Sequence, residues 1–355
     1  MRLVSTLLCV AGMFALLDGL IFHSGLYNRM IDPASAAGAV QNALSNGRYR
    51  STLVKNQVLA IGDSRMDLSL KTADQNQRGG LSFGTIAVPG STPRCWYYML
   101  RAIDPDRDQF TAILLPFDDY IDEDWEDHST RLMDLAMIAP LLTVGDAPDF
   151  CSSFPTAKLK AQCVVGLVAK GWTYQRDFQR LLTDYDLRQR SLGWTHQNGY
   201  ATLYNFPGTE DSLEGITADW EKREFGFPSH LSEARRRGIK GVLLRGGAPQ
   251  LGTLTKYRLR WYGKIAARYA GTKTKLIYFQ LPRGPLIRPT PKLEATAMRT
   301  LSQDKNSITL SPDLFEHLER PRFFTDAMHL NRLGSVQFTA ALVSAVSNRL
   351  GAGEE

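Results

Sequence analysis

Short runs of consecutive apolar residues, each closed by a turn signal, set the rhythm of this chain. VLAI (58–61) runs into Gly-Asp-Ser and then into helix-like spacing; FGTIAV (83–88) ends at PGSTP; TAILLPF (111–117) ends at the acidic DDYIDEDWED. KLIYFQLP (275–282) is a fourth run and SITLSP a weaker fifth. Continuous apolar runs of this length predict strands covered on both faces. Between them, Thr92 is placed to cap a helix with Pro93 in its first turn, continuing through RCWYYMLRAI. LTKYRLRWYGKIAARYA carries Leu259, Tyr262, Ile265 and Ala266 at helical spacing, whereas GIKGVLLRGG fits either strand or loop. Asn331 precedes a final helix whose apolar stripe is read as Val336, Ala340 and Val343. Strands alternating with helices predict an α/β fold, a parallel sheet with helices on both faces.

The rhythm fails at about residues 120–230, a stretch rich in aromatics, Gly and Pro with helical pieces such as YQRDFQRLLTDYDLRQRSL. It reads as an insertion over the sheet edge. At the N-terminus, residues 3–22 are apolar apart from Ser5, Thr6, Asp18 and two glycines. About 20 such residues span a bilayer as a helix, and Asp18, near the far end, is expected at the interface. A cleaved signal peptide is the alternative, but ASAAGA (34–39) lies too far past the apolar core for good cleavage geometry. The organisation expected is therefore one N-terminal transmembrane helix (1–25), a linker (26–54) and an α/β domain (55–350) outside the cytoplasm.

Charge and cysteine usage narrow the partners. The net charge of +6 gathers in EARRRGIK and KYRLRWYGK, which read as solvated helix faces, the second also as a contact for an acidic polymer or anionic headgroups. No zinc finger, recognition helix or aromatic RNA-binding motif is present, so nucleic acid is not an expected partner. Cys9 lies in the apolar helix; Cys151 and Cys163 flank a short segment and would suit a disulfide in an oxidising compartment, leaving Cys95 unpaired. No paired Cys-x-x-Cys motifs exist, and His128 in its acidic run matches no metal spacing, so neither metal nor cofactor is expected. Trp96, Tyr97 and Tyr98 read as core or groove wall, with a sugar-stacking platform as the functional alternative.

Ligands of open parallel sheets bind beyond the carboxyl ends of the strands. Ser64 follows the first run, Gly90 the second and Asp118 the third, while Asp326 and His329 precede the last helix. Such a fold brings all five to one edge. A serine hydroxyl needs a base to become a nucleophile. His329 is the candidate base, with Asp326 to orient its ring. The backbone N–H groups of Ser64 and Gly90 are candidate oxyanion donors, and Asp63 reads as a brace for the turn.

The order Ser, Asp, His, with the last two in Asp-x-x-His, resembles the SGNH or GDSL-type hydrolase superfamily. GDSR matches its first block, VPGST its glycine block and DAMHLNRLG its last. HLNRLGSVQFTAAL is similar to a membrane-anchored extracytoplasmic branch that includes alginate O-acetyltransferase-type and D-alanine transfer-type proteins. The resemblance spans residues 58–117 and 275–350 and leaves the insertion uncovered. It implies a three-layer, flavodoxin-like sheet and the catalytic set Ser64, Asp326 and His329. It also implies an acyl, usually acetyl, transferase or esterase acting on a cell-envelope or exported polysaccharide, anchored in the inner membrane with its domain in the periplasm. An integral-membrane acyltransferase would supply the acyl group. In one place the chain departs from the family: Asp118 stands where an asparagine usually donates to the oxyanion, and an ionised carboxylate cannot donate. This departure favours the alternative, a catalytically weak carbohydrate-binding or assembly subunit.

Overall fold

The computed structural model describes residues 2–45, 57–70, 80–117, 128–198, 211–244, 251–287 and 296–351. The chain divides into two compact units. One comprises Met1–Asn46, Tyr98–Ile103 and Ser129–Asn205; the other comprises Gly47–Tyr97, Asp104–His128 and Phe206–Glu355.

The second unit holds a five-stranded parallel sheet. Its strands are β1 (Gln57–Gly62), β2 (Ser82–Ala87), β3 (Ala112–Phe117), β6 (Lys275–Gln280) and β7 (Ser307–Thr309), in the order β2-β1-β3-β6-β7. A separate antiparallel hairpin pairs β4 (Thr217–Asp219) with β5 (Glu224–Gly226). Every residue of β1 and β3 is buried, as continuous apolar runs require of strands covered on both faces. On one face, Val58, Ala60, Leu114, Ile277 and Phe279 share a core with Phe338, Leu342 and Val346 of the last helix, Arg332–Gly351. On the other, Tyr262 of the helix Leu251–Tyr269 stacks on Phe117 at 4.2 Å and donates a hydrogen bond to the Pro116 carbonyl at 2.6 Å. From β1 the chain passes to β2 on one flank, then returns to β3 on the other. The strand order therefore reverses beside β1, where open parallel sheets leave a crevice at their carboxyl edge.

Three local expectations change. GIKGVLLRGG is helical over its first part, in Glu233–Leu243, because Ser232 caps that helix and Ile239 and Leu243 supply a buried stripe. The last helix is rotated from the stripe expected: Val343 is buried, but Val336 is half exposed, and Ser335, Phe338 and Thr339 face inward. The basic cluster around residue 258 is not wholly solvated. Arg258 is buried, and so is Arg94, whose guanidinium lies over the Tyr257 ring at 5.1 Å. A weakly hydrated planar cation tolerates such aromatic surroundings better than an ammonium would.

The first unit is helical. Residues 4–23 form a helix long and apolar enough to cross a membrane, with mean hydropathy 2.0 and its side chains exposed from Leu8 to Leu17. Residues 26–45, expected to be linker, instead fold: Tyr27, Ile31 and Ala37 join Phe22, Tyr174 and Leu181 in a small core, and Ala36–Ser45 is a helix. Asp18 is buried against this unit, its carboxylate accepting hydrogen bonds from the Lys170 and Gly171 N–H groups at 3.1 and 2.7 Å. Residues 129–198 of the expected insertion belong to this unit, and residues from 206 onward to the other. Cys151 and Cys163 are buried thiols here.

Candidate active site

Ser64 opens a short helix, Ser64–Ser69, directly after β1. The turn is tight because Gly62 has no side chain: a Cβ there would meet Met66 Cγ at 2.3 Å and Met66 Cβ at 2.6 Å. Asp63 caps the helix by accepting from the Arg65 N–H at 2.9 Å, and the Arg65 guanidinium pairs with its other oxygen at 2.8 Å. Asp63 is thus fully engaged in holding the turn, as the sequence suggested.

His329 and Asp326 sit in a loop closed at its base by the Phe324–Leu330 bridge and by the Thr325 N–H donating to the His329 carbonyl at 2.9 Å. Asp326 Oδ1 accepts from the backbone N–H groups of Met328 and His329 at 2.9 and 2.8 Å. Its Oδ2 faces His329 Nδ1 at 2.8 Å, and His329 Nε2 faces Ser64 Oγ at 2.8 Å. This network assigns the tautomer: Nδ1–H donates to the carboxylate, so Nε2 has a lone pair for the serine hydroxyl. Burial alone would raise the Asp326 carboxyl, but the His329 ring and two backbone N–H groups together hold it below the ordinary carboxylate range. It is therefore ionised wherever the imidazole can act as a base.

The register between serine and histidine comes from the last helix. Asn331 caps it through the Gly334 N–H at 3.0 Å. One and two turns on, Ser335 and Thr339 donate to the Leu68 and Ser69 carbonyls at 2.9 and 3.0 Å, at the far end of the Ser64 helix. These hydroxyls satisfy carbonyls that the short helix leaves without intrahelical partners. Arg235 steadies the other side, donating to the Thr325 carbonyl at 2.9 Å while pairing with Asp211. The sequence reading missed Arg235, Ser335 and Thr339. For the last two a signal existed, polar residues at i and i+4 within an apolar stripe; for Arg235 there was none.

Gly90 lies in a turn after β2 in which the Ser91 N–H donates to the Val88 carbonyl at 2.9 Å. With Pro89 second and Gly90 third at φ +72°, this is a type II turn, whose third position requires a positive φ. The turn bond uses the Ser91 N–H and leaves that of Gly90 for other acceptors. Ser91 Oγ in turn donates to the Gly62 carbonyl at 2.9 Å and accepts from Trp96 Nε1 at 2.8 Å, tying the glycine turn to the end of β1. A narrow cleft at this edge is lined by residues that include Asp63, Arg65, Ser91, Trp96, His128 and Arg258. Trp96 is both core and cleft wall. Asp118 lies outside the described residues. Among those described, no group of three or more His, Cys, Asp and Glu is placed to hold a metal ion.

The structure thus brings Ser64, His329 and Asp326 into one relay and places the Gly90 turn at the same edge of the sheet. No protein-family model matches the sequence, and no curated protein matches it.

Proposed function

We propose that this protein is a membrane-anchored, extracytoplasmic serine acyl-transfer enzyme of the SGNH type, working on acyl esters of a cell-envelope or exported polysaccharide. The observation that carries the proposal is the relay from Ser64 through His329 to Asp326, with both side-chain contacts at 2.8 Å. The flavodoxin-like strand order, with Ser64 beside the reversal point, agrees with it. So do the GDSR, VPGST and DAMHLNRLG blocks.

In this reading Ser64 Oγ attacks the carbonyl carbon of an acyl ester as its proton passes to His329 Nε2. Asp326 stabilises the imidazolium without taking its proton. The backbone N–H of Ser64, unused by its helix, and that of Gly90 receive the developing oxyanion. His329 then protonates the departing alcohol, leaving acyl-Ser64. A sugar hydroxyl or water, deprotonated by the same nitrogen, attacks the acyl-serine and restores the free hydroxyl. Transfer and hydrolysis share this intermediate and differ in how well the acceptor site excludes water. An integral-membrane acyltransferase is the proposed acyl source, and the helix of residues 4–23 the proposed anchor.

Intact-mass analysis after incubation with a small activated acetyl ester tests the reading. An acetyl adduct in wild type that is absent in Ser64→Ala supports it, and added glycans then separate transfer from hydrolysis. A folded protein that forms no adduct and turns nothing over, with or without a membrane fraction supplying the acyl donor, overturns it in favour of a binding or assembly subunit.

A further inference from the structure

The foot of the N-terminal helix is clamped to the helical unit at three points. Asp18, 5% exposed, accepts from the N–H groups of Lys170 and Gly171. His23 Nε2 meets the Val168 carbonyl at 3.0 Å. The Phe22 ring packs against Tyr27 at 4.9 Å, Phe178 at 5.5 Å and Tyr174 at 5.8 Å. Gly171 sits so close that a Cβ would meet Asp18 Oδ1 and Phe22 Cε2, both at 2.8 Å.

Four apolar residues near this clamp are exposed. Val164 and Val168 lie one turn apart on the helix Ala157–Val168, with Val165 beside them; Val168 is 52% exposed and Trp172, just past the clamp, 66%. On the N-terminal helix itself, Leu16, Leu17 and Leu20 are exposed as well. Exposed apolar surface gathered in this way marks an interaction face.

Its level relative to a bilayer follows from helix geometry. Twenty helical residues rise about 30 Å, the thickness of the hydrocarbon core. If residues 4–23 span it, the stretch from Asp18 to His23 occupies the last ~8 Å. Val168, Gly171 and their neighbours are hydrogen-bonded to that stretch and so lie at the same depth. A tryptophan at this level is in its favoured place, with its ring among the headgroups.

We infer that Val164, Val165, Val168 and Trp172 form a lipid-facing collar that sits in the bilayer interface around the foot of the anchor. The inference rests on the anchor part of the proposed function and is independent of the acyl chemistry. The collar gives the helical unit a second membrane contact, so that the unit is seated on the surface rather than tethered above it.

The test uses the full chain in phosphatidylcholine nanodiscs whose acyl chains carry bromine, with aqueous acrylamide as the opposing quencher. Alkaline carbonate extraction of the full chain from membranes is run beside it. The result expected is retention in the membrane, with most of the bromolipid quenching of tryptophan emission lost in Trp172→Phe. Val168→Asp should likewise release Trp172 from bromolipid quenching without lowering the thermal midpoint. Retention with Trp172 quenched by acrylamide and blind to bromine overturns the collar alone and turns this face toward a protein partner. Release of the chain by carbonate overturns the anchor and the collar together.

Discussion

Asp326→Asn separates the geometry of the relay from its electrostatics. The amide keeps one oxygen, which can remain on the backbone N–H groups of Met328 and His329, so the loop should hold its shape. The other position, 2.8 Å from His329 Nδ1 in the native protein, becomes an NH₂. Two donors cannot face each other, so the ring takes the tautomer with Nδ1 as acceptor and Nε2 protonated. Nε2 then points a proton at Ser64 Oγ and can no longer accept one. A serine–histidine relay in the wrong tautomer loses about 10⁴ in rate, equivalent to ~5 kcal/mol of transition-state stabilisation. The assay is the rate of Ser64 acetylation by the activated ester, followed by intact mass, with the ring tautomer read from ¹⁵N shifts of His329. Asp326→Ala is the contrast: it also abandons two backbone N–H groups and should lower stability by about 1–3 kcal/mol. Acetylation by Asp326→Asn within threefold of wild type, with the tautomer reversed, would refute the assignment of His329 as base.

Replacing Ser335 by Ala together with Thr339 by Val removes the donors to the Leu68 and Ser69 carbonyls, costing roughly 1–3 kcal/mol for each buried acceptor left unmade. The acetylation rate constant should fall more than ester affinity does; equal losses in both would deny these hydroxyls a positioning role. Gly62→Ala forces a Cβ into Met66, and its thermal midpoint should drop by the equivalent of about 1–3 kcal/mol of overpacking; an unchanged midpoint would mean that the turn relaxes freely. Asp326 and Asp146 both have native carboxyls held below their ordinary value of 3.8, Asp146 through Arg101 and Thr143 acting against burial. For depressed carboxylates the stabilisation is present above the unfolded value and is lost as pH falls through the native one. Urea midpoints should therefore be level near neutrality and fall below about pH 4, with a shallower fall in Asp146→Asn; identical acid limbs would remove Asp146 from the account.

Much of this architecture is legible along the chain because its signals are local. Short apolar runs closed by turn signals fit buried strands, and the five runs correspond to β1, β2, β3, β6 and β7, the last only partly buried. Asp326 and His329 are three residues apart, so a single turn of backbone suffices to bring Oδ2 to Nδ1. Gly90 could be read from its place directly after the second apolar run, and the structure adds that it holds the positive-φ position of a type II turn.

Other features depended on partners distant in sequence. The phase of the last helix follows from Leu68 and Ser69, some 270 residues earlier, whose carbonyls turn Ser335 and Thr339 inward and leave Val336 outside. Arg258 belongs to a cluster that reads as surface charge, yet the tertiary fold buries it. Nothing local shows that Asp18 is buried; two N–H groups about 150 residues away give its carboxylate somewhere to be so. In each case composition fixes only what a residue would cost to bury. Whether it is buried depends on which donors, acceptors and rings the tertiary fold brings to it.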